Sequence, residues 1–131
     1  MIYLDSSALL KLVRAEEYTA ALRAWLRDRR DALLISSALA RVEVLRACRR
    51  IDARLLDTGR AVVGALHLVP VDDAVLGAAA DLPGSDLRSL DALHLASALR
   101  IGPDLEAFVA YDERLLGAAE AAGLLVSRPG T

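Results

Sequence analysis

The sequence is short of several residue types, and each shortage removes a class of protein. Its 131 residues include one cysteine, one tryptophan, one phenylalanine and one methionine. The lone Cys48 excludes a disulfide framework and any zinc site built from several thiolates, and it suits a reducing compartment. The two histidines, His67 and His94, stand in separate segments with no paired zinc motif. No apolar run approaches the ~18 residues of a membrane span, and Met1 leads into a strand pattern rather than a signal peptide. The expectation is a cytoplasmic chain with no membrane partner. Lysine is almost missing: of 16 basic residues, all but Lys11 are arginine. Arginine presents a permanently charged planar fork suited to carboxylate or phosphate.

What remains is the composition of a folded domain. Apolar residues make up 55% of the chain, and 18 acids against 16 bases leave a net charge of −2. A chain of this length buries about 68% of its unfolded surface and needs no staple. Residues 1–131 are read as one domain, with 127–131 expected to be a loose tail.

Short apolar runs alternate with longer helical patterns. Strands are predicted at Ile2–Leu4, Leu33–Ile35, Leu66–Val71, Ala107–Ala110 and Leu124–Val126. Helices are predicted over Ser6–Val13, Tyr18–Arg30, Ala38–Ile51, Ala53–Val63, Asp73–Ala80, Ser89–Arg100 and from Asp112 to Ala122. Pro83 and Gly84 mark a loop between the fifth and sixth helices. This alternation implies an α/β fold, a three-layer α/β/α arrangement around a parallel sheet of 4–5 strands.

In such sheets ligands sit beyond the carboxyl ends of the strands, where the strand order reverses. Asp5 follows the first strand and Asp112 the Ala107 strand, so both lie along that edge. Asp91 falls in the first turn of its helix, and Glu43 lies inside a helix between Val42 and Val44. Each has an ordinary explanation. Asp5 and Asp112 suit helix N-caps, worth about 1 kcal/mol each. Asp91 suits the positive end of a helix dipole, and Glu43 could pair with Arg46. Together, however, they would place up to four carboxylates in one crevice, which calls for a proton or a cation. A cluster of oxygen donors suits a hard divalent ion such as magnesium or manganese. His94 is expected to be a packed, hydrogen-bonded residue and Cys48 a small buried hydrophobe. Trp25, with Leu22 and Leu26, reads as core or as an apolar contact surface.

Four blocks carry a resemblance. They are Ile2-Tyr3-Leu4-Asp5-Ser6-Ser7-Ala8-Leu9-Leu10-Lys11-Leu12, Arg41-Val42-Glu43-Val44-Leu45-Arg46-Ala47, Leu90-Asp91-Ala92-Leu93-His94-Leu95-Ala96-Ser97-Ala98 and Tyr111-Asp112-Glu113-Arg114-Leu115. In this order and spacing the chain resembles PIN domains, and among them the VapC-type toxins of bacterial toxin–antitoxin pairs. The resemblance implies a magnesium- or manganese-dependent endoribonuclease that hydrolyses RNA with metal-activated water, forms a homodimer and is silenced by a cognate antitoxin. It assigns Asp5, Glu43 and Asp91 to the core acidic positions, Asp112 to a more variable fourth, and Ser6 to a hydroxyl beside the first acid. Arg88 and Arg114 are added as candidate phosphate contacts.

Three alternatives stand beside this reading. One is a phosphoacceptor receiver domain, which wants a lysine beyond a late strand where this chain has none. Another is a PIN-like binding module without turnover. The third is a housekeeping RNA-processing nuclease.

Overall fold

A computed structural model describes residues 1–131. Five strands form one parallel sheet: β1 (Ile2–Leu4), β2 (Leu34–Ser37), β3 (His67–Val69), β4 (Ala107–Val109) and β5 (Val126–Ser127). Their order is β3-β2-β1-β4-β5. β1 is therefore central, with Ile2 opposite both Leu34 and Ala107. The order excludes the receiver-domain alternative, whose flavodoxin-like sheet runs 2-1-3-4-5.

Alternation along the strands supplies both faces of the sheet. Ile2, Leu4, Ala107 and Val109 face a core completed by α1 (Ser6–Val13), α2 (Thr19–Arg27), α3 (Leu39–Ile51) and α4 (Leu56–Gly64). Tyr3, Ile35 and Phe108 face the opposite core, completed by α6 (Ser89–Ile101) and α7 (Glu113–Ala121). α5 (Asp73–Asp81) packs on α6. All three residues of β1 are buried, as expected of a strand covered by helices on both sides.

Several boundaries depart from expectation for local reasons. α2 starts after Tyr18, whose backbone is left-handed at φ 70°, and closes at Asp28. The second strand runs on through Ser37, whose hydroxyl then accepts the Leu39 N–H at the head of α3. Extended Asp52 ends α3 and caps a short 3₁₀ turn over Ala53–Leu55, so α4 starts only at Leu56. β3 stops at Val69, before Pro70, which has no N–H for the ladder.

The chain end is also unlike its expectation. Residues 127–131 are tied down: Pro129 is buried, its carbonyl accepts the Tyr111 hydroxyl at 2.9 Å, and Gly130 lies against the Tyr18 ring. No helix is long and apolar enough to cross a membrane.

Candidate active site

The strand order reverses between β1 and β4, and the chain builds that corner tightly. The Asp5 N–H donates to the Val109 carbonyl at 3.1 Å, which joins the two strand ends. Ser7 Oγ accepts the Tyr111 N–H at 3.2 Å and donates to Asp5 Oδ1 at 2.6 Å. Asp5 is the N-cap of α1, accepting the Ala8 N–H on the same oxygen at 3.0 Å. The capping explanation thus holds, but it uses only Oδ1. Asp5 is 4% exposed. Burial pushes its carboxyl above the ordinary range; hydrogen bonds from Ser7 and Ala8 oppose the shift, while the field of Asp91 adds to it. Asp5 and Asp91 therefore feel one another across the site.

Glu43 projects from α3 and pairs with neither Arg46 nor any other cation. Its Oε1 accepts from Ser6 Oγ at 2.5 Å and contacts His94 Nε2 at 2.6 Å. Burial would raise its pKa, but the hydrogen bonds from His94 and Ser6 outweigh that and hold the carboxyl below its ordinary value. His94, on α6, is buried, and its Nδ1 meets the Tyr3 hydroxyl at 2.7 Å.

Asp91 and Asp112 form the outer part of the edge. Asp91 sits in the first turn of α6, and Asp112 caps α7 by accepting the Leu115 N–H at 2.9 Å. Arg88 reaches Asp91 Oδ2 through Nε at 3.4 Å and Asp112 Oδ2 through a terminal nitrogen at 3.8 Å. A cleft here is lined by Arg88, Tyr111, Asp112, Glu113 and Arg114, which places both candidate phosphate-binding arginines beside the fourth acid. Lys11 takes no part in neutralising the acids. It pairs with Glu16 at 3.5 Å and lies 4.6 Å from the Tyr111 ring centre.

The structure thus brings Ser6 to Glu43, sets Asp5 within the field of Asp91, and links Asp91 to Asp112 through Arg88. It does not close the acids into a cage: no three His, Cys, Asp or Glu side chains are gathered tightly enough to hold one ion. That arrangement fits magnesium or manganese, which keep several waters and are bound through one or two carboxylates together with substrate phosphate. Zinc, which favours a closed set of nitrogen or sulfur ligands, fits poorly. Sequence reasoning missed Ser7 and Tyr3; it read His94 as packed and hydrogen-bonded, which it is, but did not see that Glu43 is one of its partners. Of the apolar trio, Leu22 is core, Trp25 is half-buried under Arg29, and only Leu26 lines a groove.

The PIN domain family model matches residues 2–121. The chain belongs to the PIN-domain family. Within it, the chain is 45% identical over 132 residues to Ribonuclease VapC35 of Mycobacterium tuberculosis, covering 99% of this chain and 98% of the relative. The crystal structure of VapC20 from the same organism, described as a Sarcin-Ricin loop cleaving toxin, superposes with a TM-score of 0.77 at 20% identity. That match covers 98% of this chain and all of that one. VapBC2 from Rickettsia felis, solved bound to a DNA fragment from their promoter, matches at TM-score 0.68 and 10% identity over 98% of this chain and 99% of the other. At such identities the two solved structures speak for the fold. In this VapC-type PIN domain Asp5 and Asp112 stand just beyond the carboxyl ends of β1 and β4, each capping a helix.

Proposed function

We propose that the chain is the endoribonuclease of a VapBC-like toxin–antitoxin pair, hydrolysing RNA phosphodiester bonds with the aid of magnesium or manganese. The observation that carries this reading is Asp5. It is a buried carboxylate at the β1–β4 switch point, with one oxygen fixed by the protein and no cation beside the other. The near-full-length relation to a VapC ribonuclease supports the substrate class.

Asp5, Glu43 and Asp91 would hold the ion, in part through its waters, with Asp112 as a fourth acid beside them. An ion bound there supplies positive charge to the scissile phosphate and lowers the pKa of water for in-line attack on phosphorus. The chain does the rest. Ser6 and His94 fix Glu43, Ser7 fixes Asp5, and Arg88 and Arg114 bind phosphates on either side of the cut. Arg88, held only loosely by Asp91 and Asp112, can turn from them to an RNA phosphate.

The partner would be an antitoxin with an apolar segment flanked by acids. A groove lined by Leu26, Val62 and Leu66 and rimmed by Arg23, Arg27 and Arg30 has the matching character. Exposed Leu76 and Leu90 offer apolar surface for a homodimer. The single buried Cys48 is in keeping with a cytoplasmic setting.

The test incubates purified protein with total RNA and magnesium or manganese, alongside EDTA and the variant Asp91→Asn. Discrete cuts only in the metal-loaded wild type are expected. Cleavage by Asp91→Asn at the wild-type rate would overturn the assignment, and RNA binding without cleavage would favour a binding module.

A further inference from the structure

The groups around Glu43 form a line that the acidic site itself does not require. Tyr3 is fully buried on β1, stacked on Phe108 at 5.3 Å between ring centres and edge-on to His94 at 5.9 Å. A phenylalanine would fill that apolar space without a hydroxyl to satisfy, so the phenol calls for a reason. Its hydroxyl meets His94 Nδ1 at 2.7 Å, and His94 Nε2 meets Glu43 Oε1 at 2.6 Å. One hydrogen-bonded line therefore joins β1, α6 and α3.

The chemistry sets its direction. An ionised Glu43 only accepts, so the hydrogen must lie on His94 Nε2. In the neutral imidazole Nδ1 is then an acceptor, and the Tyr3 hydroxyl donates to it. Ser6 donates to the same Glu43 oxygen, and no protein donor reaches Oε2. His94 is 1% exposed and lies beneath Glu43, out of reach of a bound RNA.

We infer that Tyr3 and His94 are positioning residues for the nuclease: Tyr3 fixes the imidazole tautomer, and His94 with Ser6 commits Glu43 Oε1 to the protein and reserves Oε2 for the divalent ion. Partners that orient a metal-binding group in this way matter almost as much as the group itself. The inference rests on the reading of Glu43 as an ion-holding carboxylate, and its test separates the two.

The metal-free protein is titrated with manganese by calorimetry, without RNA, as wild type, His94→Leu, His94→Gln, Tyr3→Phe and Glu43→Gln. Leucine removes the donor, and manganese affinity should fall about 10–100-fold. Glutamine can place an N–H near the Nε2 position and should recover most of that loss. Tyr3→Phe, which deletes one oxygen, should weaken binding in the same direction. In cleavage assays kcat should drop with KM for RNA unchanged, since neither residue touches substrate. Nitrogen NMR of the wild-type imidazole should show Nε2 protonated and Nδ1 bare, a pattern disturbed by Tyr3→Phe.

Wild-type manganese affinity in His94→Leu or Tyr3→Phe, with Glu43→Gln impaired, would overturn the positioning role and leave Glu43 in place. Wild-type affinity in Glu43→Gln would instead overturn the reading on which the inference rests. If His94→Leu fails to fold, Tyr3→Phe and the NMR pattern decide. A proton on Nδ1 would refute the tautomer.

Discussion

Ser7 donates its hydroxyl to Asp5 Oδ1 at 2.6 Å, the same oxygen that accepts the Ala8 N–H at the head of α1. One oxygen of the first acid is thus structural and the other is free for chemistry. That division makes the two roles separable by mutation.

Asp5→Asn keeps an amide oxygen for Ser7 and for the cap, and asparagine caps helices as well as aspartate does. RNA cleavage should be abolished while the fold persists. The pH dependence follows from burial. Asp5 has a folded pKa above its ordinary 3.8, so it destabilises the folded state at neutral pH and ceases to do so as it takes up its proton. In EDTA the variant should be at least as stable as wild type at pH 7, and its advantage should shrink as the pH falls towards about 4. Urea unfolding at both pH values checks this. Glu43 works with the opposite sign: its lowered pKa contributes stability above its ordinary 4.5, lost as the pH falls through the folded value.

Arg88 is 70% exposed and holds Asp91 and Asp112 only at 3.4 and 3.8 Å. Such a pair contributes little to stability, so Arg88→Ala should unfold within about 0.5 kcal/mol of wild type. Its loss should be felt by RNA instead. KM should rise, and the slope of log(kcat/KM) against log salt should become shallower by about 1. Cleavage assays across a potassium chloride series measure both, and an unchanged slope would remove Arg88 from the RNA path.

Gly59, in α4, is where that helix meets α3. A Cβ there would lie 2.9 Å from Cys48 Sγ and 3.3 Å from Leu45 Cδ2. Gly59→Ala should therefore destabilise by about 1–3 kcal/mol through overpacking, despite alanine's better helix propensity. Adding Cys48→Ala should recover part of the loss by removing the obstructing sulfur. Denaturant midpoints of the two single variants and the double variant test the coupling.

The sequence made some of this site legible and hid the rest. Asp5 and Asp112 were readable because each follows a strand and heads a helix, a local pattern tied to the carboxyl edge of a parallel sheet. Asp91 was readable from its helix start, and Glu43 from its apolar flanks. His94 was not, because its role needs Tyr3 and Glu43, brought in from β1 and α3, and no spacing within its own helix announces them. The tail misled for a similar reason: what holds Pro129 and Gly130 is Tyr111 and Tyr18, two aromatic rings stacked 5.7 Å apart and distant in the chain. Helix ends were lost where single backbone choices decided them, as at left-handed Tyr18 and extended Asp52.

The neighbour relation of β1 and β4 has a consequence for when the acidic corner can assemble during synthesis. Ile2 can pair with Leu34 early, but its other neighbour, Ala107, exists only when most of the chain has been made. At about 5–20 residues per second, a ribosome needs roughly 5–20 seconds to supply it. Contacts of such high sequence separation also slow the folding that follows. A nascent or truncated chain lacking β4 has Asp5 without its corner and lacks Asp112 altogether. The delay between the start of translation and an assembled β1–β4 corner is written into the strand order.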